Sequence, residues 1–205
     1  MSDQKSSSNA SGKRCFVTIG ATAPFNSLVR AVLEPTFIKP LCDAGYTQLR
    51  VQYGNQEGEA IFQERCKILK EAGFDQGIEI TGFGFNREGL RGEMLAVKGQ
   101  SPQDEGMVIS HAGSGSVLDA LRIGVPIVVV PNTDLLHNHQ VELAEALAEQ
   151  EYVIHGKLDN LAGSIASVEE LRRKMKQWPP LRSGEEKYKR GLEDVIAEEM
   201  GWQIG

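Results

Sequence analysis

Short apolar segments alternate with segments of helical spacing along most of this chain, and this alternation restricts the possible fold more than any other feature. Six segments have strand character, and several are apolar on both faces, which is typical of a parallel sheet that helices cover on both sides. The sequence therefore predicts an α/β fold with a Rossmann-like open parallel sheet and right-handed crossovers. The six predicted strands cover residues 14–20, 47–54, 78–83, 107–110, 125–131 and 152–156.

Helical spacing of apolar residues fills most of the intervals between these strands. Asn26 is expected to be the N-cap of the first helix, and two Ser-x-x-Glu capping boxes, at Ser167 and Ser183, predict the starts of the last two helices. Residues 86–106 are interrupted by Gly and Pro and predict a short helix and a mobile loop. The other predicted helices cover residues 26–34, 59–72, 116–123 and 138–150.

Three regions differ in composition along the chain. Residues 1–13 are polar and Ser-rich and lack an apolar core, so they predict a disordered tail rather than a signal peptide. Residues 14–178 predict the sheet domain, and residues 179–205 predict a C-terminal helical extension. One face of that extension is apolar and packs either on its own domain or on a partner; its residues are Tyr188, Leu192, Val195, Ile196 and Met200.

The charge and the cysteine content exclude several classes of function. The formal net charge is −6, which argues against nucleic acid as a partner and against adhesion to anionic lipid. The three cysteines are scattered and form no CxxC pair, so free thiols are expected and a structural zinc site is not. No DxD motif occurs either, and no metal site is predicted.

The segment Val108–Asp119, VISHAGSGSVLD, places a Gly/Ser cluster between a predicted strand and a predicted helix. A helix N-terminus offers unpaired N–H groups and a partial positive charge, and glycines allow a ligand to approach that backbone closely. This predicts a phosphate site. The alternative is a tight turn made by Gly113 and Gly115, with Ser114 or Ser116 as a cap. Asp119, one turn into the helix, could reach a ribose or could simply face solvent.

Other phosphate and nucleophile motifs are absent. Ser114 lacks the flanking glycines of a GxSxG nucleophile elbow, and the first predicted strand is followed by GATAPFN rather than GxGxxG. The small polar turn Gly20–Thr22 could approach a phosphate or be an ordinary strand-to-helix turn. Pro131–Gln140 is rich in amide and imidazole side chains, which suit sugar hydroxyls.

Three segments together resemble a known family. TIGAT (18–22), ISHAGSGSVLDALRIGVPIVVVPN (109–132) and NHQVELAEAL (138–147) resemble the donor-binding half of GT-B glycosyltransferases related to bacterial MurG, the C-terminal domain of glycosyltransferase family 28. Within this family the chain resembles the small cytosolic subunits of eukaryotic UDP-N-acetylglucosamine transferases of dolichol-linked oligosaccharide assembly. The resemblance covers residues 14–157 and implies a fold equivalent to the C-terminal half of a GT-B enzyme.

The resemblance also implies roles for individual positions. Asp119 would hold the ribose, and Asn138, His139 and Gln140 would contact the sugar. Gly20, Ala21 and Thr22 would line the cleft beside the donor phosphates. His111 and His139 are weak candidates for the catalytic base, which stays unassigned. The donor diphosphate would be surrounded by Ser110, His111, Gly113, Ser114, Gly115 and Ser116.

The implied reaction transfers N-acetylglucosamine from UDP-GlcNAc to dolichyl-diphosphate-GlcNAc with inversion and without a tightly bound cofactor. Because only the donor half is recognisable, the resemblance implies a heterodimer with a membrane-anchored, acceptor-binding subunit. The chain would then lie in the cytoplasm and, through that subunit, on the cytosolic face of the endoplasmic reticulum. The alternatives are a non-catalytic nucleotide-sugar-binding scaffold subunit and a nicotinamide-dependent epimerase or other oxidoreductase.

Overall fold

The computed structural model of the chain describes residues 12–21, 23–74, 76–132 and 139–176. Within these residues six strands form one sheet in the order β3-β2-β1-β4-β5-β6. Every neighbouring pair is parallel, which confirms the predicted Rossmann-like sheet. The strands are β1 (Lys13–Thr18), β2 (Tyr46–Gly54), β3 (Glu79–Gly84), β4 (Met107–His111), β5 (Ile127–Val130) and β6 (Ile154–His155).

Helices follow most of the strands. A short 3₁₀ helix, Leu158–Asn160, comes before the last described α-helix. Over the described part of the chain the α-helices are α1 (Asn26–Val32), α2 (Pro35–Asp43), α3 (Gln56–Glu71), α4 (Arg91–Lys98), α5 (Ser114–Ile123), α6 (His139–Glu149) and α7 (Gly163–Lys176).

Three local predictions differ from this structure. Phe25, not Asn26, is the N-cap of α1. The capping box at Ser167 does not start a helix, because α7 begins at Gly163 and Ser167 lies inside it. Helix α2 is not among the predicted helices because Pro35 and Pro40 interrupt its pattern. It forms because Pro at the first helical position loses no bond and because Phe37, Ile38 and Leu41 are buried.

Two hydrophobic layers cover the sheet, one on each face. Along β1 the side chains alternate: Cys15 and Val17 belong to the layer that includes α1, α2, α3 and α7, whereas Phe16 belongs to the layer formed with α4, α5 and α6. This two-sided burial is why the strands read as continuously apolar segments. Among the described helices, none is long and apolar enough to span a bilayer.

A buried charge network attaches α7 to the amino end of the sheet. Arg172, of which 4% is exposed, donates to the carbonyl of Gly106 at 2.8 Å and to the Tyr46 hydroxyl at 3.3 Å. It also forms an ion pair with Glu169, which in turn bonds to Lys13 at 2.8 Å. Burial by itself would raise the pKa of Glu169, but the hydrogen bonds from Arg172 and Lys13 outweigh it and lower the pKa.

The strand order reverses direction between β1 and β4. The chain proceeds from β1 outward to β2 and β3, then returns to the centre and proceeds from β4 outward to β5 and β6. The loops that follow β1 and β4 therefore leave adjacent strand ends toward opposite sides, which opens a crevice between them. In open α/β sheets ligands bind at such a position.

Candidate functional site

The N-terminus of α5 opens into this crevice with unpaired backbone donors. Gly113 is the N-cap and has no side chain with which to cap the helix. The helical hydrogen bonds begin with the N–H of Val117, which donates to the Gly113 carbonyl at 3.1 Å. The N–H groups of Ser114, Gly115 and Ser116 come before this bond, and within the described residues no side chain caps them. They form a site for an anion.

The two glycines of this turn serve different purposes. A β-carbon on Gly113 would lie 2.1 Å from Nε2 of His111, so only glycine fits beside that ring. A β-carbon on Gly115 would meet nothing within 4 Å, and its backbone angles need no glycine. Packing of the described residues thus explains Gly113 but not Gly115. Close approach of a ligand to the helix N-terminus does explain Gly115.

The His111 ring lies between two glycines that come from different loops. A β-carbon on Gly20 would lie 2.2 Å from Cε1 of His111, and Gly20 has a φ of +77°, so its glycine is required on two counts. The Cε1–Nε2 edge of the ring therefore packs against the backbone of both the β1 loop and the α5 turn. This contact joins the two sides of the crevice.

Burial keeps the His111 ring neutral. It lowers the pKa of His111, and Nδ1 is buried without a hydrogen-bond partner in the described structure. A neutral imidazole adds no positive charge to the crevice. The positive potential that an anion would meet there comes from the first turn of α5.

Buried polar side chains fix the turn at Gly20. The hydroxyl of Thr18 accepts from the Gly20 N–H at 3.1 Å and donates to Oε1 of Gln52 at 2.5 Å. Nε2 of Gln52 donates back to the Gly20 carbonyl at 3.1 Å. Ala21, the next residue of the predicted cleft, is exposed.

Two other predicted residues occupy different environments. Ser110 is fully buried, and its hydroxyl donates to the His111 carbonyl at 2.9 Å. Asp119 is partly exposed and lies four residues after Gly115, on the same side of α5. It therefore lies one helical turn from the N–H groups of Ser114, Gly115 and Ser116.

Only some of the residues predicted to contact the sugar lie within the described part of the chain. Thr22 and Asn138 lie outside the described residues, as do Asp134 and His137. His139 and Gln140 are the first two residues of α6. For these two residues the structure describes the backbone alone, and their contact with a sugar stays a prediction. Asn132 is 4% exposed, and its amide donates to the Pro24 carbonyl at 3.1 Å.

Sequence reasoning missed Thr18 and Gln52, although a signal was present. Each is a polar residue two positions before a glycine at the end of its predicted strand. The register aligns Val17 with Val51, which makes Thr18 and Gln52 neighbours on one face of the sheet. Two such positions in adjacent parallel strands indicate a buried hydrogen bond.

A second concave region lies elsewhere, over the outer strands β2 and β3. Its side chains pair with one another: Arg50 with Glu93 at 3.2 Å, Arg14 with Gln48 at 2.8 Å, and Gln48 with Glu79 at 3.4 Å. These contacts describe a solvated polar face. In the described ranges, no three His, Cys, Asp or Glu side chains gather as metal ligands would.

Comparison with known proteins gives one family. The model of the glycosyltransferase family 28 C-terminal domain matches residues 14–187. UDP-N-acetylglucosamine transferase subunit ALG13 of Eremothecium gossypii is 35% identical over 202 residues, which cover 90% of this chain and 91% of the relative. The protein of the same name from Yarrowia lipolytica is 41% identical over 140 residues, covering 68% of this chain and 62% of that protein.

Two solved structures share the fold. The NMR solution structure of ALG13 superposes with a TM-score of 0.58 at 27% identity and covers 81% of this chain and 94% of that one. The crystal structure of MurG from Acinetobacter baumannii superposes with a TM-score of 0.52 at 16% identity. That match covers 82% of this chain but only 46% of the MurG chain, so it shows likeness of fold to one part of MurG.

Proposed function

Because the chain belongs to the glycosyltransferase family 28 C-terminal domain family, we propose that it is the donor-binding subunit of an inverting N-acetylglucosaminyltransferase. The donor is UDP-GlcNAc, and the acceptor is dolichyl-diphosphate-GlcNAc. The observation that carries this proposal is the uncapped first turn of α5, opened by Gly115 at the switch point of the sheet. The names of the relatives, which are transferase subunits for UDP-N-acetylglucosamine, support the choice of donor.

The geometry suits a diphosphate leaving group. When the bond between the sugar and the diphosphate breaks, negative charge grows on UDP. The N–H groups of Ser114, Gly115 and Ser116 and the dipole of α5 are already oriented toward that charge, so stabilising it needs no reorganisation. Asp119, one turn further along, would accept hydrogen bonds from the ribose, and the hydroxyls of Ser114 and Ser116 can donate to phosphate oxygens.

The acceptor requires a second protein in this proposal. The chain matches less than half of MurG but 91% of a relative whose name calls it a subunit. The word subunit in that name supports a partner, and we propose that this partner supplies the acceptor half and a membrane anchor. The complex would act on the cytosolic face of the endoplasmic reticulum, and the base that deprotonates the acceptor stays unassigned.

Deletion of residues 183–205 is expected to abolish co-purification with that partner, and undiminished co-purification would contradict this.

A reconstituted transfer assay tests the proposal. The full chain is incubated with labelled UDP-GlcNAc and dolichyl-diphosphate-GlcNAc, alone and with membranes that contain candidate acceptor subunits. Transfer should require both the chain and one membrane partner. Tight UDP-GlcNAc binding without transfer in any combination would favour the scaffold alternative instead.

Gly115→Ala provides a variant with a matched control. The added methyl group has room in the protein but would occupy the space of the diphosphate, so the KM for UDP-GlcNAc should rise at least about ten-fold while stability is unchanged or slightly higher. Gly92, like Gly115, is exposed and is the second residue of a helix, and a β-carbon added there would also meet nothing within 4 Å. Gly92→Ala should leave transfer unaltered. Equal effects of the two substitutions would show that the diphosphate does not bind at the N-terminus of α5.

A further inference from the structure

The backbone of the loop between β1 and α1 is held at two points by buried side chains from other parts of the fold. One point is Gly20 and the other is Pro24. The side chains that bond to them are Thr18, Gln52 and Asn132, all less than 5% exposed. Thr18 and Gln52 are not among the residues predicted to contact the donor, whereas Asn132 belongs to the Pro131–Gln140 segment that the sequence predicts to contact the sugar.

At Gly20 the hydrogen bonds form a closed ring. Thr18 accepts from the Gly20 N–H and donates to Gln52, and Gln52 donates to the Gly20 carbonyl. Both polar groups of the Gly20 backbone are thereby satisfied by side chains, at a position where φ is +77° and no strand or helix pairing is present. Because an unmade bond here would leave a buried polar group without a partner, the turn has one strongly preferred position.

At Pro24 the bond comes from far along the sequence. Asn132 directly follows the Val125–Pro131 segment that contains β5, and its amide donates to the Pro24 carbonyl at 3.1 Å across 108 positions. The loops after β1 and β5 are thus joined to each other. The loop after β4 is joined to the same unit, because His111 packs against both Gly20 and Gly113.

We propose that Thr18, Gln52 and Asn132 are positioning residues of the donor site, which hold the β1–α1 loop against His111 before the donor binds. The inference deepens the proposed function and rests on it. Their described polar contacts are made with the protein itself, so in this proposal they act on the donor indirectly. They act through Gly20 and His111, which lie beside the first turn of α5. A site that is held in its binding geometry loses less conformational entropy when the ligand arrives.

The substitution pair Thr18→Val and Thr18→Ser separates positioning from packing. Valine keeps the shape but lacks the hydroxyl, whereas serine keeps the hydroxyl but lacks the methyl group. In the reconstituted complex, Thr18→Val should raise the KM for UDP-GlcNAc about ten-fold. The KM for the lipid acceptor and kcat should stay within about two-fold, and Thr18→Ser should resemble the wild type throughout. Equal donor KM values for the two variants, or a fall in kcat with the donor KM unchanged, would overturn the inference.

A second readout does not depend on transfer. In the full chain, loosening the Gly20 turn should admit water to the His111 ring, so the pKa of His111 should move back toward its ordinary value in Thr18→Val but not in Thr18→Ser. NMR titration of the imidazole measures this, and an unchanged titration in Thr18→Val would contradict the inference. If the wild-type complex does not use UDP-GlcNAc, the proposed function fails, and this titration alone decides whether the loop is held as described.

Asn132→Ala tests the other attachment point and covers the case in which Thr18→Val does not fold. Pro24 is exposed, so its carbonyl can be hydrated when the amide is lost, and the protein should stay folded. We expect a rise of about three- to ten-fold in the KM for UDP-GlcNAc with kcat within about two-fold. A donor KM equal to that of the wild type would exclude Asn132 from the positioning role.

Discussion

At the amino end of the sheet, charged and polar side chains bond to one another, whereas at the carboxyl end between β1 and β4 no described side chain caps the first turn of α5. Arg172 bonds to Gly106 and Tyr46 and pairs with Glu169. At the opposite end Ser114, Gly115 and Ser116 keep free N–H groups, and the Nδ1 atom of His111 is buried without a partner in the described structure.

The contrast shows which end of the sheet leaves backbone N–H groups open to a ligand. Gly115 is exposed and Ser114 and Ser116 are partly exposed, so water can hydrate the N–H groups of this turn until an anion replaces it. At the amino end Arg172 attaches α7 through its bonds to Gly106 and Tyr46 and its ion pair with Glu169, although its Nε atom is buried without a hydrogen-bond partner among the described residues. The carboxyl end retains donors for an anion. Substitutions at the amino end should therefore change stability, and substitutions at the carboxyl end should change donor use.

The largest predicted effect comes from Arg172→Met. Loss of the charged hydrogen bonds leaves the Gly106 carbonyl buried and unpaired, and the free energy of unfolding should fall by about 3 kcal/mol. Urea denaturation of the full chain measures this. The adjacent Arg173 has a side chain that is 69% exposed, and its contact with Glu170 is 3.9 Å long, so Arg173→Met should cost less than about 0.5 kcal/mol.

The comparison of the two ends would be broken if Arg172→Met changed donor use. At a temperature where the variant is fully folded, the KM for UDP-GlcNAc in the reconstituted complex should equal that of the wild type. An increase comparable to that expected for Gly115→Ala would mean that the amino end also shapes the donor site.

The sequence predicted the parallel sheet and the position of the crevice, because apolar strands and a Gly/Ser turn are local patterns. It did not predict which glycines are required by packing within the protein and which are left for a ligand. Gly113 and Gly20 are both required by one ring, that of His111, and the contact with Gly20 exists only after β1 and β4 pair. The sequence also did not predict the place of Ser110, which the register puts beside Thr18 and whose role beside the diphosphate stays a prediction. The roles of Thr18 and Gln52 likewise depend on strand register, which periodicity alone does not reveal.

The second largest effect is predicted for Gly113→Ala, at the carboxyl end. The β-carbon would overlap the His111 ring, which also packs against the Gly20 backbone, so the substitution should cost about 2 kcal/mol of stability. In a His111→Ala background the same substitution should cost almost nothing, because the ring is gone. Denaturation of the four proteins of this double-mutant cycle measures the coupling; additive costs would show that the ring is not the reason for glycine at 113.

A smaller effect, on donor binding rather than stability, is predicted for Asp119→Ala. Loss of the proposed ribose contact should raise the KM for UDP-GlcNAc about ten-fold, which corresponds to about 1.4 kcal/mol. The free energy of unfolding should stay within about 0.5 kcal/mol, since the side chain is partly exposed. Glu145, an exposed acid on α6, is the control: Glu145→Ala removes the same charge and should not alter the donor KM. Unchanged kinetics of Asp119→Ala would remove Asp119 from the site.

The smallest predicted effect separates the two ends by pH. Burial lowers the pKa of His111 below its ordinary 6.5, so the unfolded chain binds this proton more readily, and stability should fall as the pH drops below about 6.5. The pKa of Glu169 is lowered from 4.5, so its contribution to stability is present above about pH 4.5 and is lost as the pH falls through the folded-state value.

Denaturation of the wild type, His111→Gln and Glu169→Gln between pH 7.5 and 3.5 should therefore show two pH windows in which stability is lost. His111→Gln should remove only the loss just below pH 6.5, and Glu169→Gln only the loss below pH 4.5. If His111→Gln left the upper window unchanged, the ring would not be buried as neutral imidazole, and the contrast between an open carboxyl end and a closed amino end would lose its electrostatic basis.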